Sequence, residues 1–145
     1  MRPVMETALR TLGIDFGEKR IGLAISDPAG RVAVPLATLE RRNDRSAVRQ
    51  IAEIARSEGI GRLVLGEPVG LDGRRGPAAE RVERFGRKLA EVTGLPLIRV
   101  DEALTTVAAA ERLREAGIDP RRQPERLDAL AAQILLQDAL DRGTL

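Results

Sequence analysis

The sequence predicts an α/β fold built on a mixed five-stranded sheet, with three antiparallel strands followed by two parallel ones and helices on its flanks. Three observations carry this prediction. An alternating apolar hairpin spans Leu12 to Asp27, two later apolar runs stop abruptly at acidic residues, and apolar stripes at helical spacing lie between and after those runs. With 145 residues, 43% hydrophobic and 32% charged, the chain suits one domain over residues 1–145 that buries a real core and includes a short N-terminal extension at 1–11.

Taken in order, Leu12, Ile14, Ile21, Leu23 and Ile25 set the two arms of the hairpin around Asp15 and a turn containing Gly17. Val32 to Leu39 reads as a third strand, and Pro35 directs it to a sheet edge or a bulge. Asn43, Asp44 and Ser46 supply cap chemistry for a helix carrying Val48, Ile51, Ile54 and Ala55, which ends near Gly59. Leu63 to Leu65, followed by Gly66-Glu67-Pro68, fits a buried parallel strand.

The loop Val69 to Gly76 contains Arg74 and Arg75, and Gly76-Pro77 opens a helix with Val82, Phe85, Gly86 and Leu89 on one face. Leu95 to Val100 is the fifth strand and runs into Asp101-Glu102. Thr105 or Thr106 is placed to cap the next helix, Val107 to Ala116, which Gly117 terminates. Ile118 to Arg126 reads as a mobile, Arg-rich connector. The last helix, about Leu127 to Leu140, presents Leu127, Leu130, Ala131, Ile134 and Leu135 as its stripe, with Asp128 in its first turn at the edge of that stripe.

The residue types missing from the chain narrow its chemistry. There is no cysteine and no histidine, so thiolate nucleophiles, disulfides, thiolate or imidazole metal sites and histidine acid–base catalysis are all excluded. Carboxylates, hydroxyls, Lys and Arg remain, and the metals such a set favours are hard divalent cations, Mg²⁺ or Mn²⁺. Lys19 and Lys88 are the only lysines among 24 basic residues, so the positive charge is mostly arginine, a side chain suited to bidentate phosphate contacts. Many of these arginines will simply solvate helix faces. With Phe16 and Phe85 as the only aromatics, stacking of unpaired bases on an aromatic platform is disfavoured, while recognition of a nucleic-acid backbone stays open. No long apolar run or signal-peptide centre is present, and a cytoplasmic location is expected.

The acids are the candidate site. An aspartate inside an apolar strand carries a desolvation cost, so Asp15 either starts the tight turn by bonding the backbone near Gly17 or serves as a metal ligand or phosphate-site acid. In mixed sheets of this order, sites gather at the carboxyl ends of the strands. Asp15, Glu67, Glu102 and Asp128 could converge there, although Asp128 has the simpler reading of an acid favoured by its helix dipole. Clustered carboxylates raise one another's pKa unless cations neutralise them. Two cations about 3.5 to 4 Å apart can activate water and stabilise a leaving oxygen in phosphodiester cleavage without histidine.

Four segments, taken together, resemble a known family: Gly13 to Ala24, Gly66-Glu67-Pro68 with Leu71-Asp72-Gly73, Asp101-Glu102 with Thr105-Thr106, and Asp128 to Gln133. They are similar, in order and over nearly the whole chain, to the YqgF (RuvX) family of RNase H-like nucleases, described as Holliday junction resolvases and as nucleases that mature the 5′ end of 16S ribosomal RNA precursor. The resemblance implies an RNase H-like fold and metal-dependent catalysis by Asp15, Glu102 and Asp128. It also implies that Arg20 contacts phosphate, unless it pairs with a local acid. Ala103 stands where the family usually has Arg, and Glu67 where it usually has an apolar or aromatic residue. Glu67 is therefore either an additional metal ligand or a solvated loop acid.

On this reading Arg74, Arg75, Arg121, Arg122 and Arg126 contact phosphates of structured RNA or branched DNA, and junction cleavage would suit a homodimer. A catalytically weak binding module in ribosome or transcription complexes is the competing class. An ATP-dependent protein of the sugar kinase and actin type would need a second domain.

Overall fold

The predicted hairpin forms, and its side-chain parity sets up everything above it. In a computed structural model of the chain, described for residues 9–68, 76–102, 104–143 and 145, β1 (Arg10–Phe16) pairs antiparallel with β2 (Arg20–Ser26). Leu12, Ile14, Ile21, Leu23 and Ile25 all face one core, which leaves Gly13, Asp15, Gly22 and Ala24 to the other side. The turn is closed by Gly17 N–H donating to the Arg20 carbonyl at 2.9 Å. Asp15 is thus not needed as the turn-forming residue.

β3 (Ala33–Glu40) lies at the edge of the sheet, and its pairing with β2 slips by one residue between Ala37 and Pro35, so the proline is both at an edge and at an irregularity. Asn43 caps α1 (Asp44–Ser57) by accepting from Ser46 N–H at 2.8 Å. β4 (Ile60–Glu67) then enters parallel to β1, α2 (Pro77–Thr93) crosses over, and β5 (Leu97–Asp101) adds parallel to β4. The order β3-β2-β1-β4-β5 is the predicted mixed sheet.

The two faces of the sheet are packed with different materials. Large side chains fill one: Leu12, Ile14, Leu63 and Leu65 meet Val48 and Ile51 of α1 and Val82, Phe85 and Leu89 of α2. The other face offers Gly13, Gly22, Ala24 and Val64, and it takes α4 (Pro124–Asp141) through Ala132, Leu136 and Ala139. Of the expected stripe Ala131 and Leu135 are buried, but Leu127, Leu130 and Ile134 are only half-buried, and Ala129, Ala132, Leu136 and Ala139 are buried instead. A sheet face floored by glycine brings the helix close enough that alanine, rather than leucine, fits beneath it.

Three boundaries also differ from expectation. α4 begins at Pro124, which puts Asp128 in the second turn rather than the first, beyond the strongest pull of the helix dipole. α3 (Thr105–Glu115) is not capped by a threonine; Leu104 occupies the cap position, and the Thr105 hydroxyl donates to the Glu102 carbonyl at 2.9 Å. The connector before α4 is pinned, with Pro120 buried and the Asp119 carboxylate accepting from Arg121 N–H at 3.0 Å. No helix among the described residues is long and apolar enough to cross a membrane.

Candidate active site

Asp15 stands near the carboxyl end of β1, on the side of the sheet that α4 covers. Its partner across the hairpin is Gly22, and because Ile14 pairs with Leu65, the next residue of β4 beside it is Gly66. Both neighbours lack a side chain, and other groups take the space beside the carboxylate: the α4 backbone at Asp128 lies over Gly22 and the Glu102 side chain over Gly66. A Cβ on Gly66 would lie 3.1 Å from both Cβ and Oε2 of Glu102, so the glycine leaves the space in which Glu102 lies over the strand end. The Glu102 N–H bonds to the Glu67 carbonyl at 3.2 Å, which fixes that residue just past β5.

Asp15 and Glu102 are hydrogen-bonded through their side chains, with Glu102 as the proton donor. Burial pushes both carboxyls upward. For Asp15 the hydrogen bond from Glu102 works against that rise and the charge of Asp128 adds to it. For Glu102, burial together with the charge of Asp15 drives the pKa to about 8. Near neutral pH, without a cation, Glu102 therefore keeps its proton and directs it to Asp15. The Oε2 of Glu102 is buried without a hydrogen-bond partner among the described residues, an acceptor left over for an electropositive ligand.

Asp128 completes the set from above. Its carboxylate is one-fifth exposed and accepts from Arg20 Nε at 2.6 Å. Of the two roles open to Arg20, pairing with an acid is the one seen, and that acid lies 108 residues away in sequence. Among the described residues no three carboxylates close around a single point. The all-oxygen character of the group, its shared proton and its orphaned Oε2 fit a hard divalent cation better than they fit a structural ion pair.

Glu67 continues the Leu63 and Leu65 side of β4, the face opposite to that of Asp15, and its carboxylate lies 3.9 Å from Arg99, whose guanidinium is also 3.6 Å from Glu83. The remaining candidates are dispersed. Arg126 lines a groove of about 430 Å³ with Arg20, Thr38, Glu40 and Glu125 between β3 and the start of α4. Arg121 and Arg122 are exposed and lie near Asp119, at 3.5 and 3.9 Å. Arg74, Arg75 and Ala103 fall outside the described residues.

Two arginines not singled out from sequence line a second cleft, of about 200 Å³, that Glu102 borders: Arg41 and Arg81. Arg41 sits over the Phe16 ring at 4.9 Å and bonds the Glu18 carbonyl and Asp44, while Arg81 reaches Glu18 at 3.2 Å. The only available signal was the placement of Arg41 two residues after a predicted strand.

The proton-sharing pair predicts a specific dependence of stability on pH. Because the folded-state pKa of Glu102 lies above its ordinary value of 4.5, the folded chain binds more protons than the unfolded chain across the interval up to about 8. Stability without divalent metal should be fully retained below about pH 4.5 as far as this group is concerned, and should fall as pH rises through 8. Melting temperatures of the wild type in a chelator, minus those of Glu102→Gln, should decline over that window, and Mn²⁺ should reverse the decline. A flat difference would show that the pair carries no such proton.

Comparison with known proteins gives the family and the fold. Residues 9–142 match the RuvX family, described as Holliday junction resolvase. A protein of Chloroflexus aggregans is 44% identical over 130 residues, covering 90% of this chain and 92% of its own. One of Syntrophus aciditrophicus is 44% identical over 133 residues, covering 92% and 89%. Both carry the name "Putative pre-16S rRNA nuclease".

Among solved structures, Thermus thermophilus RuvC in complex with a Holliday junction substrate aligns with a TM-score of 0.56 at 18% identity, over 94% of this chain and 96% of that one. The Fowlpox virus resolvase bound to junction DNA aligns at 0.58 and 10% identity, over 94% and 100%. At such identities these two speak for the fold, the RNase H-like arrangement of RuvC-type resolvases. With a match over nearly its whole length and relatives above two-fifths identity, the chain belongs to the RuvX (YqgF) family of nucleases.

Proposed function

We propose that the protein is a divalent-metal-dependent nuclease that hydrolyses phosphodiester bonds in structured RNA, with the 5′ flank of the 16S ribosomal RNA precursor as its substrate. The observation that carries this reading is the buried, proton-sharing Asp15–Glu102 pair with Asp128 charged nearby. The names of the relatives support the choice of RNA. The family description favours a second reading, cleavage of four-way DNA junctions, for which a homodimer is the proposed state because two strands must be cut in a related way. The proposed setting is the cytoplasm.

Asp15, Glu102 and Asp128 are the proposed metal ligands, with Mg²⁺ or Mn²⁺ as the ions. Bound there, a pair of cations would supply an activated water and charge stabilisation for the leaving oxygen. The chain's own residues do the rest. Asp15 and Glu102 surrender their shared proton to become two charged oxygen donors, and the lost proton makes binding stronger as pH rises. Arg20, which holds the Asp128 carboxylate and lines the adjoining groove, would be the residue to meet a substrate phosphate there if that carboxylate held a cation. Arg126 on the same groove, Arg121 and Arg122 on the neighbouring turn, and Arg74 and Arg75 are proposed to hold the flanking backbone without reading sequence. Glu67 is proposed as the anchor of Arg99 rather than as a ligand.

The test is a cleavage assay on precursor RNA carrying the 5′ flank and on a four-way junction, with Mg²⁺, Mn²⁺ or chelator. Cleavage is expected with either ion and none in chelator. Binding of both substrates without cleavage under any ion would overturn the enzyme reading in favour of a binding module.

A further inference from the structure

Exposed large apolar side chains are few and unevenly placed among the described residues. Six large apolar side chains are exposed among the described residues: Leu9, Val32, Val34, Val92, Leu104 and Val107. Leu9 precedes β1, Val92 ends α2, and Val32 and Val34 lie at the start of β3, all at the opposite end of the sheet from Asp15. Leu104 and Val107 alone stand at the acid end. Leu104 is 76% exposed and Val107, three residues further along the same helix start, is 52% exposed.

Leu104 is unfavourable for the fold twice over. Its φ of 63° makes it the one residue other than glycine, among those described, in left-handed backbone, where Asn or Gly fits with less strain. Its side chain recovers nothing by burial. The conformation is nonetheless firmly held: the Glu102 carbonyl accepts from both the N–H and the hydroxyl of Thr105, at 3.0 and 2.9 Å, and the Leu104 carbonyl starts the helix by accepting from Ala108. The bonds on either side of Leu104 thus place an apolar knob two residues from Glu102. Strain that persists beside a reactive group, with no gain in packing, points to use by a ligand.

We propose that Leu104, supported by Val107, is an aliphatic wedge that takes up the face of a nucleobase next to the scissile phosphate and unstacks it from its neighbour. This rests on the nuclease reading of the acid site. A nucleic acid brought to Glu102 presents phosphates, which an exposed leucine cannot serve, and base faces, which it can. The wedge also answers the shortage of aromatics: Phe16 and Phe85 are spent on each other, ring centres 4.3 Å apart, so an aliphatic group is what this end has for an opened base. In paired substrate the wedge would lower the cost of local opening beside the acids.

Leu104→Asn and Leu104→Gly test this, because both accept left-handed backbone and remove the apolar surface. Both should melt no lower than the wild type. With 2-aminopurine scanned through every position of a junction arm and of a precursor-RNA hairpin, in chelator so that nothing is cut, wild-type binding should raise fluorescence at one or two positions. Both variants should lose that rise while binding within about threefold of the wild type. With Mn²⁺ they should cut paired substrate about tenfold more slowly, and a mismatch at the reporting position should restore the rate. The absence of any rise with wild type, or an equal rise and equal rates with the variants, would overturn the wedge. Failure of the wild type to cleave anything in Mn²⁺ would instead overturn the nuclease reading, and the fluorescence scan would still decide on the wedge.

Discussion

Asp15→Asn is expected to lower metal-dependent cleavage by at least about 10³-fold, equivalent to roughly 4 kcal/mol of transition-state stabilisation, while leaving the protein folded. Asp15 is the member of the group that interacts with both others, accepting the proton of Glu102 and repelling Asp128. Asparagine keeps its size and its place in β1 but cannot supply a charged oxygen. It also removes the charge that raises Glu102, so the melting temperature in chelator should stay level or rise, and nucleic-acid binding in chelator should not weaken. Single-turnover cleavage, thermal melting and filter binding on the same preparation separate these effects. Cleavage within tenfold of the wild type would mean that the carboxylate takes no part in the reaction.

Gly22→Ala is expected to be damaging for a purely spatial reason. A Cβ on Gly22 would sit 2.0 Å from the main-chain oxygen of Asp128 and 2.4 Å from its carbonyl carbon, with Ala129 N at 3.1 Å. All three are helix backbone atoms, so no side chain can rotate away, and α4 itself must lift from the sheet. Overpacking of this kind costs about 1–3 kcal/mol, which for a chain of this size lowers the melting temperature by roughly 3 to 12 °C. Activity should suffer more than stability, because Asp128 rides on the displaced turn and a misplacement of about 1 Å can cost on the order of 10²-fold. Melting and cleavage of the variant check both parts, and a melting temperature within a degree of the wild type would show that the helix yields freely there.

The contrast between these residues shows what could be read without coordinates. The Asn43 cap, the edge position of Pro35 and the hairpin around Gly17 were legible because each depends on a few adjacent residues and on backbone chemistry with a short range. Asp15, Glu102 and Asp128 were legible as candidates, since two lie near the ends of apolar strands and the third at the border of a helical stripe. Glu67 looked equally eligible by that rule. Its parity along β4 sends it to Arg99, and alternation in a strand turns a one-residue difference into a different face.

Residue types and their spacing were enough to determine that this protein would build a mixed sheet between helices and that any chemistry in it would rest on carboxylates and arginine, because neither depends on where distant segments finally meet. Tertiary structure alone decided which acids share a proton, that Arg20 pairs with Asp128 across 108 residues, and that Leu104 is held exposed beside Glu102. These outcomes depend on how closely α4 and the end of β5 approach β1, and that approach is set by space at Gly22 and Gly66, where the absence of a side chain becomes meaningful only once its neighbours are in place.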